Sequence, residues 1–194
     1  RAASAQPASG TAADAVNAGP ARVTNGIPSG FARTREGAVA AAAAFVCTGQ
    51  ALVDLDPLSV EDAVRSMAAS ASADRQVADA QSQLRRTRDA LTSGQGPIVF
   101  RQAVVAYRLE AFDPDRARVA VWNVGVLTRD GVAPPQAGWA ISTFDLVWER
   151  DDWRIWSEAV VPGPAPVLND STAPATPAQF VQSLDGFVDF GAHG

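Results

Sequence analysis

The sequence predicts an α+β domain in which N-terminal helices pack on a curved, four-stranded antiparallel sheet. Apolar residues follow a helical period over about residues 34–92, and a Gly- and Pro-containing turn follows at 93–97. From residue 98 the apolar positions alternate with a period of two. Because the helices precede the strands, this order is typical of helices segregated to one face of an antiparallel sheet.

Three helices are predicted, with approximate ranges 34–53, 59–69 and 73–92. Thr34 is a good N-cap for the first helix, and the alanines at 40–44 give it a smooth surface that a sheet can approach closely. Ser59 is predicted to cap the second helix, because residues 59–62 resemble a capping box with Asp in place of Glu or Gln. The third helix has a thin apolar stripe, so one face packs and the rest is solvated.

Four strands are predicted, with approximate ranges 98–111, 116–128, 138–150 and 153–160. A turn at 113–115 makes the first two a hairpin, and the acidic pair Asp151 and Asp152 joins the last two. Strands longer than the usual five or six residues must twist and coil. A curved sheet wrapped around a long helix is the economical solution, and it corresponds to the cone of the cystatin-like, ketosteroid-isomerase-like folds, also called nuclear-transport-factor-2-like.

The chain divides into three predicted parts. Residues 1–30 are rich in Ala, Ser, Gly and Pro and contain no aromatic residue, so we expect a flexible stalk. Residues 31–160 form the cone domain. Residues 161–194 form an extended connection and a short C-terminal helix that starts at Thr176. Because the sequence begins with Arg1 rather than Met, we expect that an upstream segment was removed or omitted.

Composition points away from several classes of function. The chain has 16 basic and 21 acidic residues and a net charge of -5, which argues against nucleic acid and anionic membranes as partners. A single cysteine, Cys47, and a single histidine, His193, argue against a disulfide framework and a zinc site. The sequence has no phosphate-binding loop or nucleophile elbow. Composition therefore points away from most catalytic chemistry, from a cofactor or metal, and from direct contact of this chain with a membrane surface.

Asp145 and Tyr107 support an alternative prediction. Asp145 lies in the middle of a predicted strand, where a carboxylate is costly unless it is paired or solvated. In an isomerase-like or small-molecule-binding cone, Asp145 could act as general base and Tyr107 as oxyanion donor. The more ordinary interpretation is a surface carboxylate that pairs across the sheet with Arg101 or Arg118.

Two further groups favour structural roles. Asp151 and Asp152, with Glu149 nearby, could gather a hard cation, but they lack further oxygen ligands at loop spacing, so a turn is the favoured interpretation. Cys47 lies among apolar residues of the first helix and is predicted to be a buried structural thiol.

The tryptophans permit two interpretations. All five lie on the last three predicted strands: Trp122, Trp139, Trp148, Trp153 and Trp156. They could form an aromatic partner surface or fill the space between sheet and helices, and the core interpretation is favoured. Alternation along the third strand predicts that Trp139 and Trp153 share the face opposite the core.

Both ends of the domain resemble a known group of proteins. Residues 26–42, GIPSGFARTREGAVAAA, resemble the opening pattern P.gfarTp.GA..AA of a group of actinobacterial proteins of unassigned biochemistry. Residues 183–191, SLDGFVDFG, resemble their closing pattern SLdGFvpWg. Asp189 and Phe190 replace the family's Pro-Trp, so a contact made by that Trp does not carry over.

The resemblance implies a membrane anchor, a stalk and one extracytoplasmic domain, in proteins found on conjugative and integrative elements beside type IV secretion-like genes. The analogous cone domains of such channels are scaffolds, so we expect a membrane-tethered assembly domain whose partners are other protein subunits or further copies of this chain. A structural subunit of a larger particle, with residues 1–30 contacting neighbours, remains an alternative. The expected interface residues are Trp139, Trp153, Phe180, Leu184, Phe187 and Phe190.

Overall fold

The computed structural model describes residues 18–53, 55–90, 95–130, 133–165 and 182–189. Three helices precede four long strands, as predicted: α1 (Arg35–Leu52), α2 (Pro57–Met67), α3 (Ala73–Ala90), β3 (Gln95–Asp113), β4 (Arg116–Asp130), β5 (Ala133–Glu149) and β6 (Asp152–Pro162). Three short strands accompany them: β1 (Arg22–Thr24), β2 (Ile27–Ser29) and β7 (Val188–Asp189). Within the described ranges, no helix combines the length and the apolar character needed to cross a membrane.

The main sheet has the order β6-β5-β4-β3-β7, and every neighbouring pair is antiparallel. The sheet is therefore open, with β6 at one edge and the two-residue β7 at the other. Bulges interrupt the β3–β4 and β5–β6 pairings, and such bulges increase the local twist of a strand. The predicted α+β class and the four long antiparallel strands are confirmed.

Helix α1 lies directly on the inner face of the sheet. Thr34 caps it as predicted, because its hydroxyl accepts a hydrogen bond from the Gly37 N–H at 3.1 Å. Ala38, Ala41 and Ala42 are completely buried in α1. These methyl groups let the helix backbone approach the strands closely, while the bulk of the core comes from larger side chains around them: Phe31, Phe45, Val119, Val121, Phe144, Leu146 and Trp153.

Helices α2 and α3 form a hairpin with a small apolar core of its own, in which Val60, Val64 and Val77 are buried. The predicted N-cap of α2, Ser59, is wrong. Asp56 caps the helix instead, and its carboxylate accepts the backbone N–H groups of Leu58 at 3.0 Å and Ser59 at 3.1 Å. A carboxylate directly before Pro57 at the first helical position is the stronger start signal.

Residues 18–30 fold against the domain, so the stalk prediction is wrong for this part of the chain. Strands β1 and β2 form a hairpin, and Ala18 and Ile27 are buried. The N–H of Gly30 donates to Asp152 Oδ2 at 2.9 Å, and the N–H of Phe31 donates to Asp152 Oδ1 at 3.0 Å. Residues 1–17 of the predicted stalk lie outside the described residues.

The β5–β6 hairpin turns one residue earlier than predicted. Arg150 and Asp151 both have a φ of 55°, as a two-residue hairpin turn with positive φ at both central positions requires. Glu149 therefore pairs with Asp152, which is the first residue of β6 and is 4% exposed. The turn thus places the Asp152 carboxylate where the chain before α1 passes.

The predicted C-terminal helix falls mainly on residues outside the described ranges. The described residues 182–189 contain two helical residues at 182–183, a turn and then β7. The two residues of β7 pair with Ala106 and Tyr107 of β3.

The close contact at the start of α1 gives a test. A Cβ added at Gly37 would lie 1.9 Å from the carbonyl oxygen of Ala32, so backbone would have to move. We expect Gly37→Ala to destabilise the domain by about 1–3 kcal/mol in urea unfolding, despite the better helix propensity of alanine. Gly49→Ala in the same helix is the control, because there a Cβ meets only the flexible amide of Gln102. Equal effects of the two substitutions would contradict the close-packing argument.

The Asp152 anchor gives a second test. Its carboxylate accepts from Gly30, Phe31 and the N–H of Trp153, and an amide would turn one acceptor into a donor facing N–H groups. We expect Asp152→Asn to lower the free energy of unfolding by about 2–3 kcal/mol and to speed hydrogen exchange in residues 22–31. The neighbouring exposed Asp151→Asn is the control, and a similar response of both variants would refute the anchor.

Candidate functional site

Asp145 lies on the outer face of the sheet, the face opposite α1, and forms an ion pair there. Its carboxylate accepts hydrogen bonds from Arg118 Nη1 at 2.8 and 3.1 Å and from the Ser157 hydroxyl at 2.7 Å. Arg118 and Asp145 are direct cross-strand partners on β4 and β5. The interpretation of Asp145 as a surface carboxylate paired with Arg118 is confirmed.

Tyr107 lies on the other face. It is the cross-strand partner of the fully buried Val121 and packs against the core beneath α1. Burial raises the pKa of its phenol, and the negative charge of Glu36 raises it further. Asp145 and Tyr107 therefore cannot act on one bound molecule, and the predicted pairing of these two residues as base and oxyanion donor is wrong.

The ion pair of Asp145 belongs to a row of charges that crosses the outer face. Glu110 accepts from Arg108 Nη2 at 2.7 Å and from Arg118 Nε at 3.0 Å, and Arg118 also holds Asp145. The hydrogen bond from Arg108 is the main cause that lowers the pKa of Glu110, and the one from Arg118 adds to it. The row joins β3, β4 and β5 by alternating charges.

The acidic residues of the β5–β6 turn have separate partners. Glu149 accepts the N–H of Ser70 at 3.0 Å and its hydroxyl, and these hydrogen bonds lower the pKa of Glu149. Asp152 binds backbone N–H groups instead. In the ranges that the structure describes, no group of three or more His, Cys, Asp or Glu residues is placed to hold a metal ion.

Two lone groups, Cys47 and His193, differ in what the structure shows. Cys47 is partly buried on α1, and this burial raises the pKa of its thiol, in line with a structural role. His193 lies outside the described residues.

The tryptophans divide between the two faces in a way that the sequence pattern did not show. Trp153 lies on the inner face, fully buried against Trp148 and Phe112, and its indole N–H donates to the carbonyl of Ala32 at 2.8 Å. Trp139 lies on the outer face. The prediction that these two residues share a face is wrong, because the hairpin pairs Trp153 with Trp148, a core residue.

Trp139 is covered in part by its own chain. Its ring packs on that of Trp122 with 4.9 Å between centroids. The indole N–H of Trp122 donates to the carbonyl of Pro164 at 3.2 Å, and Ala165 is buried. The connection after β6 therefore crosses this end of the outer face, which reduces the area that Trp139 offers to a partner.

The described part of the C-terminus covers a short stretch of the β3 edge of the sheet, at Ala106 and Tyr107. The Phe187 ring lies beneath the Arg108 guanidinium, 4.5 Å from Cζ to the ring centroid, and Arg108 Nη1 donates to the carbonyl of Asp185 at 3.1 Å. Gly186 between them has a φ of 75°, which favours glycine. Phe187 serves this intramolecular contact and Leu184 is partly buried, whereas Phe180 and Phe190 lie outside the described residues.

The other edge of the sheet, β6, is covered over its first half. The carbonyl of Ile155 accepts from the Ala69 N–H at 2.9 Å, and the carbonyl of Trp156 accepts from Arg75 Nη2 at 2.9 Å. The α2–α3 hairpin therefore blocks the edge as far as Trp156. A bulge at this residue shifts the register of the strand that follows.

The second half of β6 is open, and we call residues 158–162 the open edge. Val160 is 58% exposed and Val161 51% exposed. The N–H of Gly163 donates to the carbonyl of Trp139 at 2.9 Å, and Val161 pairs with Ile141, so the odd-numbered residues direct their backbone groups toward β5. Glu158 and Val160 consequently direct N–H and C=O groups away from the sheet.

No strand of the described chain pairs with the open edge. Glu158 is solvent-accessible on the inner side, but the surrounding protein raises the pKa of its carboxyl by desolvation. Sequence reasoning missed this edge. The sequence signal for this edge is the run Ala-Val-Val-Pro at 159–162, at the end of the last long strand, because the sequence pattern places neither of its two valines in the core.

An α+β domain with an open antiparallel sheet, whose β6 edge is uncovered over residues 158–162 in the described chain, is thus what the fold and this site define. The chain belongs to the family described as "Domain of unknown function (DUF8175)", which matches residues 9–189. Among solved structures it is similar to "Crystal structure of intermembrane space region of chloroplast protein ARC6", with a TM-score of 0.40 and 13% identity over 68% of this chain and 97% of that chain. Comparison with curated proteins gives no match.

The charge row predicts a pH dependence. A carboxyl whose pKa is lowered in the folded state stabilises the fold above its ordinary pKa, and this contribution is lost as the pH falls through the folded value. We therefore expect Glu110→Gln to be less stable than the wild type at pH 7 and to lose less stability below pH 4.5, the ordinary value for Glu. Thermal unfolding across this range measures it. The exposed Asp79→Asn is the control, and parallel pH profiles of wild type and Glu110→Gln would contradict the assignment.

Proposed function

We propose that this chain is a non-enzymatic assembly domain that binds other protein subunits through a sheet edge. In this proposal it belongs to a membrane-anchored protein and works outside the cytoplasm, in a conjugation or type IV secretion-like apparatus. The resemblance of residues 26–42 and 183–191 to proteins encoded beside such systems supports the setting. The description of the sheet as a cystatin-like cone is part of the same proposal.

The observation that carries the proposal is the second half of the β6 edge, which is uncovered in the described chain. One edge carries β7, which pairs with Ala106 and Tyr107 of β3 and is held in place by the Arg108 contacts with Asp185 and Phe187. The other is closed by the α2–α3 hairpin only up to Trp156. Edge strands with unpaired N–H and C=O groups are templates for another chain, and proteins usually cover or blunt them. An edge left uncovered within the described chain is therefore a candidate binding surface.

The side chains along the open edge favour a protein partner. Ala159, Val160 and Val161 are exposed without a charge among them, and the half-exposed Trp156 adjoins them. Added strands gain affinity from main-chain hydrogen bonds and specificity from alternate side chains. A surface of this kind binds through backbone pairing and apolar area, with no dependence on the acidic net charge of the chain.

The isomerase-like alternative has no supporting observation, because Asp145 and Tyr107 lie on opposite faces of the sheet. The larger-particle alternative predicts that neighbouring subunits contact residues 1–30. The crosslinking experiment below distinguishes such contacts from contacts at the open edge.

The test is site-specific photocrosslinking in the membrane fraction of the native host. The chain contains no Lys, so crosslinkers that react with lysine side chains are uninformative, and a photoreactive amino acid at Val161 is the better probe. We expect crosslinks to subunits encoded with the same apparatus or to a second copy of this chain. The same amino acid at Val23, an exposed valine of β1, is the matched control and should give none of these products.

The pattern of crosslinks distinguishes the assembly function from the larger-particle alternative. Crosslinks that form only from a probe within residues 1–30 would favour the larger-particle alternative. Recovery of uncrosslinked monomer from both positions would refute the assembly function.

A further inference from the structure

We propose that the open edge pairs with the same edge of a second copy of this chain, antiparallel and about a two-fold axis through Val160. This inference rests on the proposed assembly function and names the partner that the edge fits. It follows from the positions of the outward backbone groups and of the single charge on the edge.

The open edge has two sharp limits. At its start, Arg75 and Gln76 of α3 hold the carbonyl of Trp156, so the strand before residue 158 is not free. At its end, Gly163 bonds to Trp139 and the chain leaves toward the outer face, where Pro164 meets Trp122. In the part of the chain that the structure describes, residues 158–162 therefore remain available for pairing. Val160 is the middle residue of this stretch, and its backbone groups point outward.

A two-fold axis through Val160 satisfies both outward N–H groups. The two Val160 residues exchange a pair of N–H to C=O hydrogen bonds, as directly opposite residues do in an antiparallel ladder. The N–H of each Glu158 meets the carbonyl of Pro162 in the other copy. Proline has no N–H, so the residue that cannot donate falls at the end of the ladder, where only an acceptor is required.

The side chains agree with this register. Val160 lies opposite Val160 on the inner side, and Ala159 lies opposite Val161 on the outer side, so the directly opposed pairs include apolar contacts. The two Glu158 carboxylates are separated by four residues along the strand, about 13 Å at the rise of a β-strand. This separation exceeds the Debye length of about 8 Å at physiological ionic strength, and the two carboxylates do not face each other.

Neighbouring registers fit less well. An axis through Glu158 places the two carboxylates directly opposite each other. An axis through Ala159 brings them diagonally close and extends the ladder to Trp156, whose carbonyl α3 already occupies. An axis through Val161 leaves the N–H of Glu158 outside the paired stretch. A second copy in the Val160 register is therefore the occupant that the edge fits best.

The pairing is short, so isolated domains are expected to associate weakly. Tethering of two copies to one membrane would raise their effective concentration and favour the dimer without any further contact. This is why the experiment begins with a concentration series.

The first experiment is sedimentation of the full chain from about 10 µM to 1 mM, a range that spans weak dissociation constants. We expect a monomer–dimer equilibrium. Val160→Lys puts two like charges opposite each other at the axis, and we expect it to raise the dissociation constant at least about tenfold. Val23→Lys makes the same change at a 64% exposed valine away from the edge, and we expect it to leave the equilibrium unchanged.

The second experiment reads the register directly. Spin labels on Val160→Cys in a Cys47→Ala background should show strong dipolar broadening, because directly opposite Cβ atoms lie only about 5 Å apart. Labels on Val23→Cys in the same background should not. A dimer that ignores Val160→Lys, or labels at 160 without broadening, would overturn the two-fold pairing.

The outcomes also separate this inference from the function on which it rests. A chain that stays monomeric to about 1 mM, but still crosslinks from position 161 to other subunits, would refute self-pairing and leave the assembly function standing. A monomer without crosslinks would refute both.

Discussion

The close approach of α1 to the sheet is the constraint on which the rest of the domain depends. Ala38, Ala41 and Ala42 of the helix are completely buried, and a Cβ at Gly37 would collide with the backbone of Ala32 in the segment just before the helix. A larger residue at these positions would push the helix away and open voids around Phe144 and Trp153, because protein interiors have little free volume. The short distance also fixes where the chain before α1 runs, which brings Gly30 and Phe31 within reach of Asp152.

Local signals in the sequence were sufficient for the architecture. The change from helical to alternating periodicity predicted the three helices and four strands, and Thr34 was identified as a cap from its side chain alone. Prediction failed where a distant contact decided the outcome. Asp152 looked like a turn residue, but it is buried because Gly30 and Phe31, more than 100 residues away, need acceptors for their N–H groups. The fold of residues 18–30 was missed for the same reason.

The site was less predictable than the fold. Trp139 and Trp153 were paired by their spacing, yet strand pairing puts Trp153 in the core and Trp139 on the outer face. The open edge could not be derived from residue types. Strand order decides which strand lies at the edge of the sheet, and helix packing decides how much of that strand is covered. Asp145 was the exception, because a carboxylate in the middle of a strand needs a partner of opposite charge and a cross-strand arginine can supply it. Such a network satisfies its charges internally and leaves binding to the neutral parts of the surface.

The Asp152 contact also bears on biosynthesis. Translation proceeds from the N-terminus, so the segment around Gly30 leaves the ribosome long before Asp152, which accepts its N–H, is synthesised. The contact that fixes the chain before α1 can therefore form only after β6 has emerged. Contacts between such distant positions slow folding. Until then the alanine-rich helix α1 has no complete sheet to pack on. The domain therefore forms late in synthesis, when the N-terminal segment and β6 are both available.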